Sequence, residues 1–264
     1  MLKNITLGQY YPGDSVIHRL DPRIKIILAL ALIVIVFLID TIWGFAALAV
    51  FIGIVVALAQ VGAGSVIRSI RPLLFIIIFT FILNLFFYGG ATVLFQWGSL
   101  KVTEEGILRA VLIVLRLMFL IFSTSLLTLT TSPMQLTDGM ESLMKPLNKI
   151  KFPVHEMSMM MSIALRFIPT LAEETDRIMK AQMARGAEFD TGNILKKARN
   201  MVPLLVPLFV SAFKRADELA LAMESRCYPG GEGRTKMKIL RFAGRDWASV
   251  AITGAVSALL VVFF

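Results

Sequence analysis

The sequence is poor in the residue types from which reactive centres are built. It contains one cysteine, Cys227, and two histidines, His18 and His155, far apart in the chain. A single cysteine excludes an internal disulfide and any cysteine-rich metal site. Two distant histidines leave a protein-built zinc site short of ligands. The phosphate-binding pattern Gly-x-x-x-x-Gly-Lys-[Ser/Thr] is absent, and no Gly-Lys pair of any kind occurs. The chain therefore does not hydrolyse ATP through a phosphate-binding loop. Neither His-Glu-x-x-His nor a Ser/His/Asp set is present, which removes the equipment for hydrolysis within a membrane. The expectation is a chain that is not catalytic alone and holds no cofactor of its own.

Charge is also scarce. Asp, Glu, Lys and Arg make up 17% of the residues, against about 25% in ordinary soluble domains. Hydrophobic residues reach 57%, with a mean hydropathy of +0.76, above the roughly 45–50% of a soluble domain. The composition is that of an integral membrane protein. The formal net charge of +9 points in such a chain to cytoplasmic loops. A basic, aromatic-bearing soluble face of the kind that grips nucleic acid is missing, so the lipid bilayer, not nucleic acid, is the expected environment. The first twenty or so residues are polar and include Pro12 and Gly13, without the early apolar stretch of a cleavable signal peptide.

The apolar runs predict five spans. Asp21-Pro22-Arg23 reads as a helix start, with Asp21 as cap and Pro22 in the first turn. Ile24–Ile39 and Ile42–Val61 are separated by Asp40-Thr41 and together exceed one crossing of about 20 residues, so they form two helices joined by a tight turn. Gly62–Arg71 reads as a small interfacial helix. A third span covers Pro72 to about Tyr88, and Gly89–Gly106 a short hairpin or interfacial segment. The fourth span runs from Ile107 to about Thr131, and the fifth from Trp247 to Phe264. Residues 1–131 thus form an N-terminal membrane region with four transmembrane helices, 132–246 a cytoplasmic region, and 247–264 a C-terminal transmembrane helix. Two thirds of all Lys and Arg fall between Ser132 and Asp246. By the positive-inside rule that region and the N-terminus are cytoplasmic and the C-terminus lies outside. Arg116, midway along the fourth span, is expected to pair with a buried acceptor such as a carbonyl or to face another subunit. Asn84 is expected to bond across helices.

The cytoplasmic region holds one short amphipathic helix, opened by Ser132-Pro133, and two long helices. The first long helix runs from Pro153 to about Ala187, the second from about Ile194 to Tyr228. Each begins apolar and ends polar. Pro169 is expected to kink the first, Pro203 and Pro207 to interrupt the second, and Pro229-Gly230-Gly231 to stop it. The two close on one small pattern, Ala184-Arg185-Gly186 and Ser225-Arg226-Cys227. An arginine at a helix C-terminus has a bland use in complementing the helix dipole, worth roughly 0.3–1 kcal/mol. The same small–Arg–small pattern on two consecutive helix tips favours a second use. Small neighbours let a tip enter a groove, where the guanidinium fork pairs with carboxylates or carbonyls. The repetition suggests two similar grooves.

Three stretches then carry a resemblance. Gln182-Met183-Ala184-Arg185-Gly186, Ala222-Met223-Glu224-Ser225-Arg226-Cys227-Tyr228 and Arg166-Phe167-Ile168-Pro169-Thr170-Leu171, with the lead Asp21-Pro22-Arg23, resemble the transmembrane T component of energy-coupling-factor (ECF) vitamin transporters, ABC-type importers, over nearly the whole chain. The likeness is to the stand-alone type shared by several substrate-binding partners. It implies an all-α membrane protein in a bacterial plasma membrane that bridges a membrane-embedded, exchangeable S component to two cytoplasmic ABC-type ATPases. It further implies that Ala184, Arg185, Gly186, Ser225, Arg226 and Cys227 seat the two tips in grooves of those ATPases, which bind the ATP and Mg. The family often has Ala-Arg-Gly at both tips, and here the second is Ser-Arg-Cys. Met157, Met159, Met160 and Met161 are either flexible core filler or an adaptable surface for different S components. A membrane scaffold or secondary carrier without ATPase partners is the alternative function.

Overall fold

The computed structural model describes residues 10–87, 93–97, 100–189, 193–230 and 240–263. Tyr88, Gly231 and Phe264, where the sequence analysis ended elements, lie outside the described residues. Helices α1 (Pro22–Leu38) and α2 (Ile42–Ala59) are followed by α3 (Ala63–Arg68), α4 (Leu74–Phe87) and a two-stranded hairpin, β1 (Val93–Trp97) and β2 (Leu100–Thr103). After these come α5 (Glu104–Thr130), α6 (Pro133–Met144), α7 (Val154–Ala184), α8 (Ile194–Ser225) and α9 (Gly244–Phe263). The protein is an all-α membrane protein with one antiparallel hairpin, its strands paired from Val93↔Thr103 to Trp97↔Leu100. The chain forms two compact units, one built from the residues up to Leu143 together with α9, the other from Met144 to the end of α8.

Among the described residues, four segments are long and apolar enough to cross a membrane: Ile42–Ala59, Gly64–Phe87, Glu104–Thr130 and Gly244–Phe263. The fifth apolar helix, α1, has 17 residues, at the lower end of spanning length. The third span is longer than the sequence reading had it, because the Gly62–Arg71 segment is helical and runs into α4.

Local chemistry explains the boundaries. Asp21 Oδ1 accepts from the Arg23 amide at 2.9 Å, with Pro22 in the first turn of α1. Thr41 and Thr103 cap α2 and α5 by accepting from the Gly44 and Gly106 amides. Ser132 and Gln135 cap α6 reciprocally, side chain to amide in both directions. Gly139 of α6 sits against the start of α1, and a Cβ there would stand 3.1 Å from Pro22 Cβ and Ile26 Cδ1.

In the first unit the core gathers Leu32, Ile35, Val36 and Ile39 of α1 and its turn, Phe45, Leu48 and Ile52 of α2, Phe119 of α5 and Leu260 of α9. Phe45 and Phe119 stack with centroids 5.8 Å apart. The two ends of α1 are held by polar groups. At its start, buried Asp246 of α9 accepts from the Asp21 amide through Oδ1 and from the Ala243 amide through Oδ2, at 2.9 and 2.7 Å. Buried Lys25 donates to the carbonyls of His18 and Thr130. At its end, Arg116 of α5 donates to the carbonyls of Val36 and Ile39, at 3.2 and 2.9 Å, and to Asp40 Oδ1 at 2.9 Å.

Arg116 pairs with carbonyls of buried residues, one of the two expected roles: it is midway along α5 but level with the polar turn where α1 ends. Asn84 bonds to Thr80 O of its own helix at 2.8 Å and not across helices. Two of the prolines also behave differently from expectation. α8 runs unbroken through Pro203 and Pro207, since proline removes one donor without preventing helical backbone on either side; α7 likewise is helical on both sides of Pro169.

The carbonyl contacts of Arg116 are charge-assisted and inward, whereas Asp40 is 84% exposed. Arg116→Met is expected to lower stability by about 2 kcal/mol, and Asp40→Asn by less than about 1 kcal/mol. Thermal unfolding of the purified variants measures both, and equal losses would assign the effect to the ion pair.

Candidate functional site

The two tips singled out by sequence share one backbone construction. At the end of α7 the Gly186 amide donates to Met183 O at 3.0 Å, and the Ala187 amide to Gln182 O at 2.9 Å. At the end of α8 the Cys227 amide donates to Glu224 O at 2.9 Å, and the Tyr228 amide to Met223 O at 3.1 Å. In both, the residue after the arginine adopts a left-handed conformation, Gly186 at φ +86° and Cys227 at φ +53°. This paired closure satisfies carbonyls that a helix end leaves open. It makes Arg185 and Arg226 equivalent as the last residue before the reversal, and both are exposed. Ala184, Gly186, Ser225 and Cys227 beside them are exposed too, so nothing bulky flanks either guanidinium.

Position explains what residue type alone did not. The third residue of each pattern is small, but it also turns left-handed. Gly186 does so freely. Cys227 carries a Cβ into that region, at a cost of roughly 1–2 kcal/mol.

The methionines of α7 divide. Met157, Met160 and Met161 are exposed at 42%, 59% and 53%, and Met159 is half-buried. On α8, Val202, Val206, Phe209 and Phe213 are exposed and recur at helical spacing. The apolar halves of both long helices therefore present open surface.

One group that the sequence reading placed only on a polar face joins the two helices. Glu174 of α7 lies between Ser211 and Arg215, one turn apart on α8. Ser211 Oγ donates to Oε1, and Arg215 Nη2 donates to Oε2 at 2.7 Å. The Ser211 hydroxyl first, with Arg215 and Arg177 behind it, holds the Glu174 carboxyl below the ordinary glutamate range against the opposing effect of burial. The signal available in the sequence was the spacing: Glu174 and Arg215 each precede their tip arginine by eleven residues.

Cys227→Gly is expected to stabilise the protein by about 1 kcal/mol and Gly186→Ala to destabilise it by a similar amount, both read by thermal unfolding. A carboxyl whose native pKa is depressed stabilises the fold above its unfolded pKa, and that contribution fades as pH falls through the native value. The stability lost in Glu174→Gln should therefore be constant above about pH 5 and shrink at lower pH. A loss that grew on acidification would contradict the assigned ion pair.

Residues 13–237 match the family model described as CbiQ, cobalt transport protein. The chain is 56% identical over 253 residues to the energy-coupling factor transporter transmembrane protein EcfT of Thermosediminibacter oceani, covering 96% of this chain and 95% of that protein. It is 55% identical over 262 residues to the EcfT of Acidaminococcus fermentans, covering 99% and 96%. To the EcfT of Bacillus subtilis it is 49% identical over 263 residues, covering 100% and 99%. The family model spans both long helices and both arginine tips, and the chain belongs to the CbiQ family.

Proposed function

We propose that this protein is the transmembrane coupling subunit of an energy-coupling-factor importer, and that Arg185 and Arg226 each seat a helix tip in one of two ABC-type ATPases. The observation that carries the reading is the matched pair of exposed arginine caps, built by identical hydrogen bonding on two helices of 31 and 32 residues. Complementing a helix dipole asks for a charge but not for small residues on both sides of it. Two equivalent guanidinium groups flanked by small residues suit a partner that presents the same groove twice. The relatives' printed name supports the transporter setting.

In this reading the ATPases bind ATP and Mg, and this chain supplies neither catalysis nor a cofactor site. ATP-driven closure of the ATPase pair displaces the two tips. α7 and α8 pass that displacement to their apolar halves, where Met157, Met159, Met160 and Met161 form part of the surface that receives a membrane-embedded, substrate-binding S component. Methionine suits a surface that meets exchangeable partners, because its unbranched side chain repacks readily. The chain sits in a bacterial plasma membrane with its N-terminus and both tips on the cytoplasmic side, where the excess of Lys and Arg lies, and its C-terminus outside.

Arg185→Glu combined with Arg226→Glu is expected to abolish co-purification of the ATPases and substrate uptake, while membrane insertion is unchanged. Each single variant should retain part of both. Uptake at the wild-type level in the double variant would refute the assignment, and transport by the chain alone in liposomes would establish a secondary carrier instead.

A further inference from the structure

The Glu174 cluster occupies a matched position on the two long helices. Glu174 precedes Arg185 by eleven residues, and Arg215 precedes Arg226 by eleven. Eleven residues make about three helical turns and about 16 Å, so on each helix the clamp residue and the tip arginine lie on nearly the same face at the same distance. The segments between clamp and tip, 174–185 and 215–226, contain no proline. Pro169 on α7, and Pro203 and Pro207 on α8, all fall on the other side. From the clamp to the helix start is 20 residues on α7 and 21 on α8, about 30 Å each. The two helices are thus joined at the same fraction of their lengths.

The join is stronger than an ordinary surface ion pair. Both carboxylate oxygens are engaged, one by a hydroxyl and one by a guanidinium, from side chains on one face of α8. The Glu174 side chain is 22% exposed and that of Arg215 35%. Isolated exposed pairs are weak, whereas networks with fixed geometry hold their partners in place.

We propose that Glu174, with Ser211 and Arg215, is a positioning clamp that sets the separation of the two arginine tips and makes them move as one piece. The geometric part stands without a partner. The functional part rests on the coupling reading above: tips held at fixed separation meet two grooves together, and unclamped tips engage them independently. Packed elements move between discrete arrangements when their contacts are rigid, and the proline-free arms between clamp and tip meet that condition.

The chain carries its own probe for this. Its single cysteine, Cys227, is exposed at the α8 tip, so one added cysteine, Ala187→Cys, places a second label at the α7 tip. Spin-label distance distributions are then recorded on the full chain in lipid nanodiscs. One narrow distance is expected with Glu174 present. A broadened distribution is expected in Glu174→Gln, with recovery in the charge swap Glu174→Arg plus Arg215→Glu. An unchanged distribution in both Glu174→Gln and Glu174→Ala would overturn the clamp, whatever the fate of the coupling reading. In the reconstituted complex, Glu174→Gln should keep the ATPases bound while uptake per ATP hydrolysed falls by about threefold or more, within the range of couplings between contacting side chains. Full uptake per ATP with the tips uncoupled would remove the functional part. Normal transport by the Arg185→Glu, Arg226→Glu variant would remove the coupling reading and leave the distance measurement to stand.

Discussion

The membrane unit depends on how the polar ends of α1 are satisfied. A helix leaves amides open at its start and carbonyls open at its end, and hydrocarbon offers them no partner. Here the partners come from other helices. Asp246 of α9 takes the Asp21 amide at one end, and Arg116 of α5 takes the Val36 and Ile39 carbonyls at the other. Lys25 adds the carbonyl of Thr130, at the last turn of α5. These bonds order α1, α5 and α9 by direction and depth. The apolar core of Val36, Phe45, Phe119 and Leu260 has little directional preference of its own. Apolar packing supplies attraction, and the buried charges supply register.

The second unit solves a different problem. Its two long helices must each hold a defined tip. The backbone closure at Gly186 and Cys227 fixes where each arginine points relative to its helix, and the Glu174 cluster fixes one helix to the other. The free apolar halves of α7 and α8 lie on the far side of the clamp from the tips. Along each rod taken by itself the chemistry is separated: guanidinium at its tip, methionine or aliphatic surface on the other side of the clamp.

Most of the architecture was legible because apolar run length and proline and glycine punctuation are local signals. The Asp21-Pro22 start, the Asp40-Thr41 break, the hairpin after the third span and the two long helices all follow from short stretches of sequence. Prolines misled where they lie inside long helices: Pro203 and Pro207 read as breaks, yet α8 continues, since its other backbone bonds carry it past two missing donors. Asn84 misled for a related reason, as a carbonyl one turn back in its own helix was nearer than any neighbour. The left-handed state of Cys227 was invisible, because residue size was weighed and backbone conformation was not. The Glu174 clamp was hidden in a face crowded with Glu173, Asp176, Arg177 and Lys180. The eleven-residue spacing to the tip arginines marks it in the sequence, but only the contact with Ser211 and Arg215 shows what that spacing is for.

The shortness of α1 has a consequence for the lipid around it. Seventeen residues make a rod of about 25 Å, while α5, at 27 residues, extends to about 40 Å. Hydrocarbon about 30 Å thick cannot match both lengths at once. Arg116 and Asp40 hold a polar turn at the level where α1 stops, so acyl chains beside the α1–α2 corner meet water-seeking groups several ångströms early. A bilayer meets a short span by local thinning and a long one by letting it tilt. With Arg116 tying the end of α1 to the middle of α5, neither helix can adjust its depth without the other.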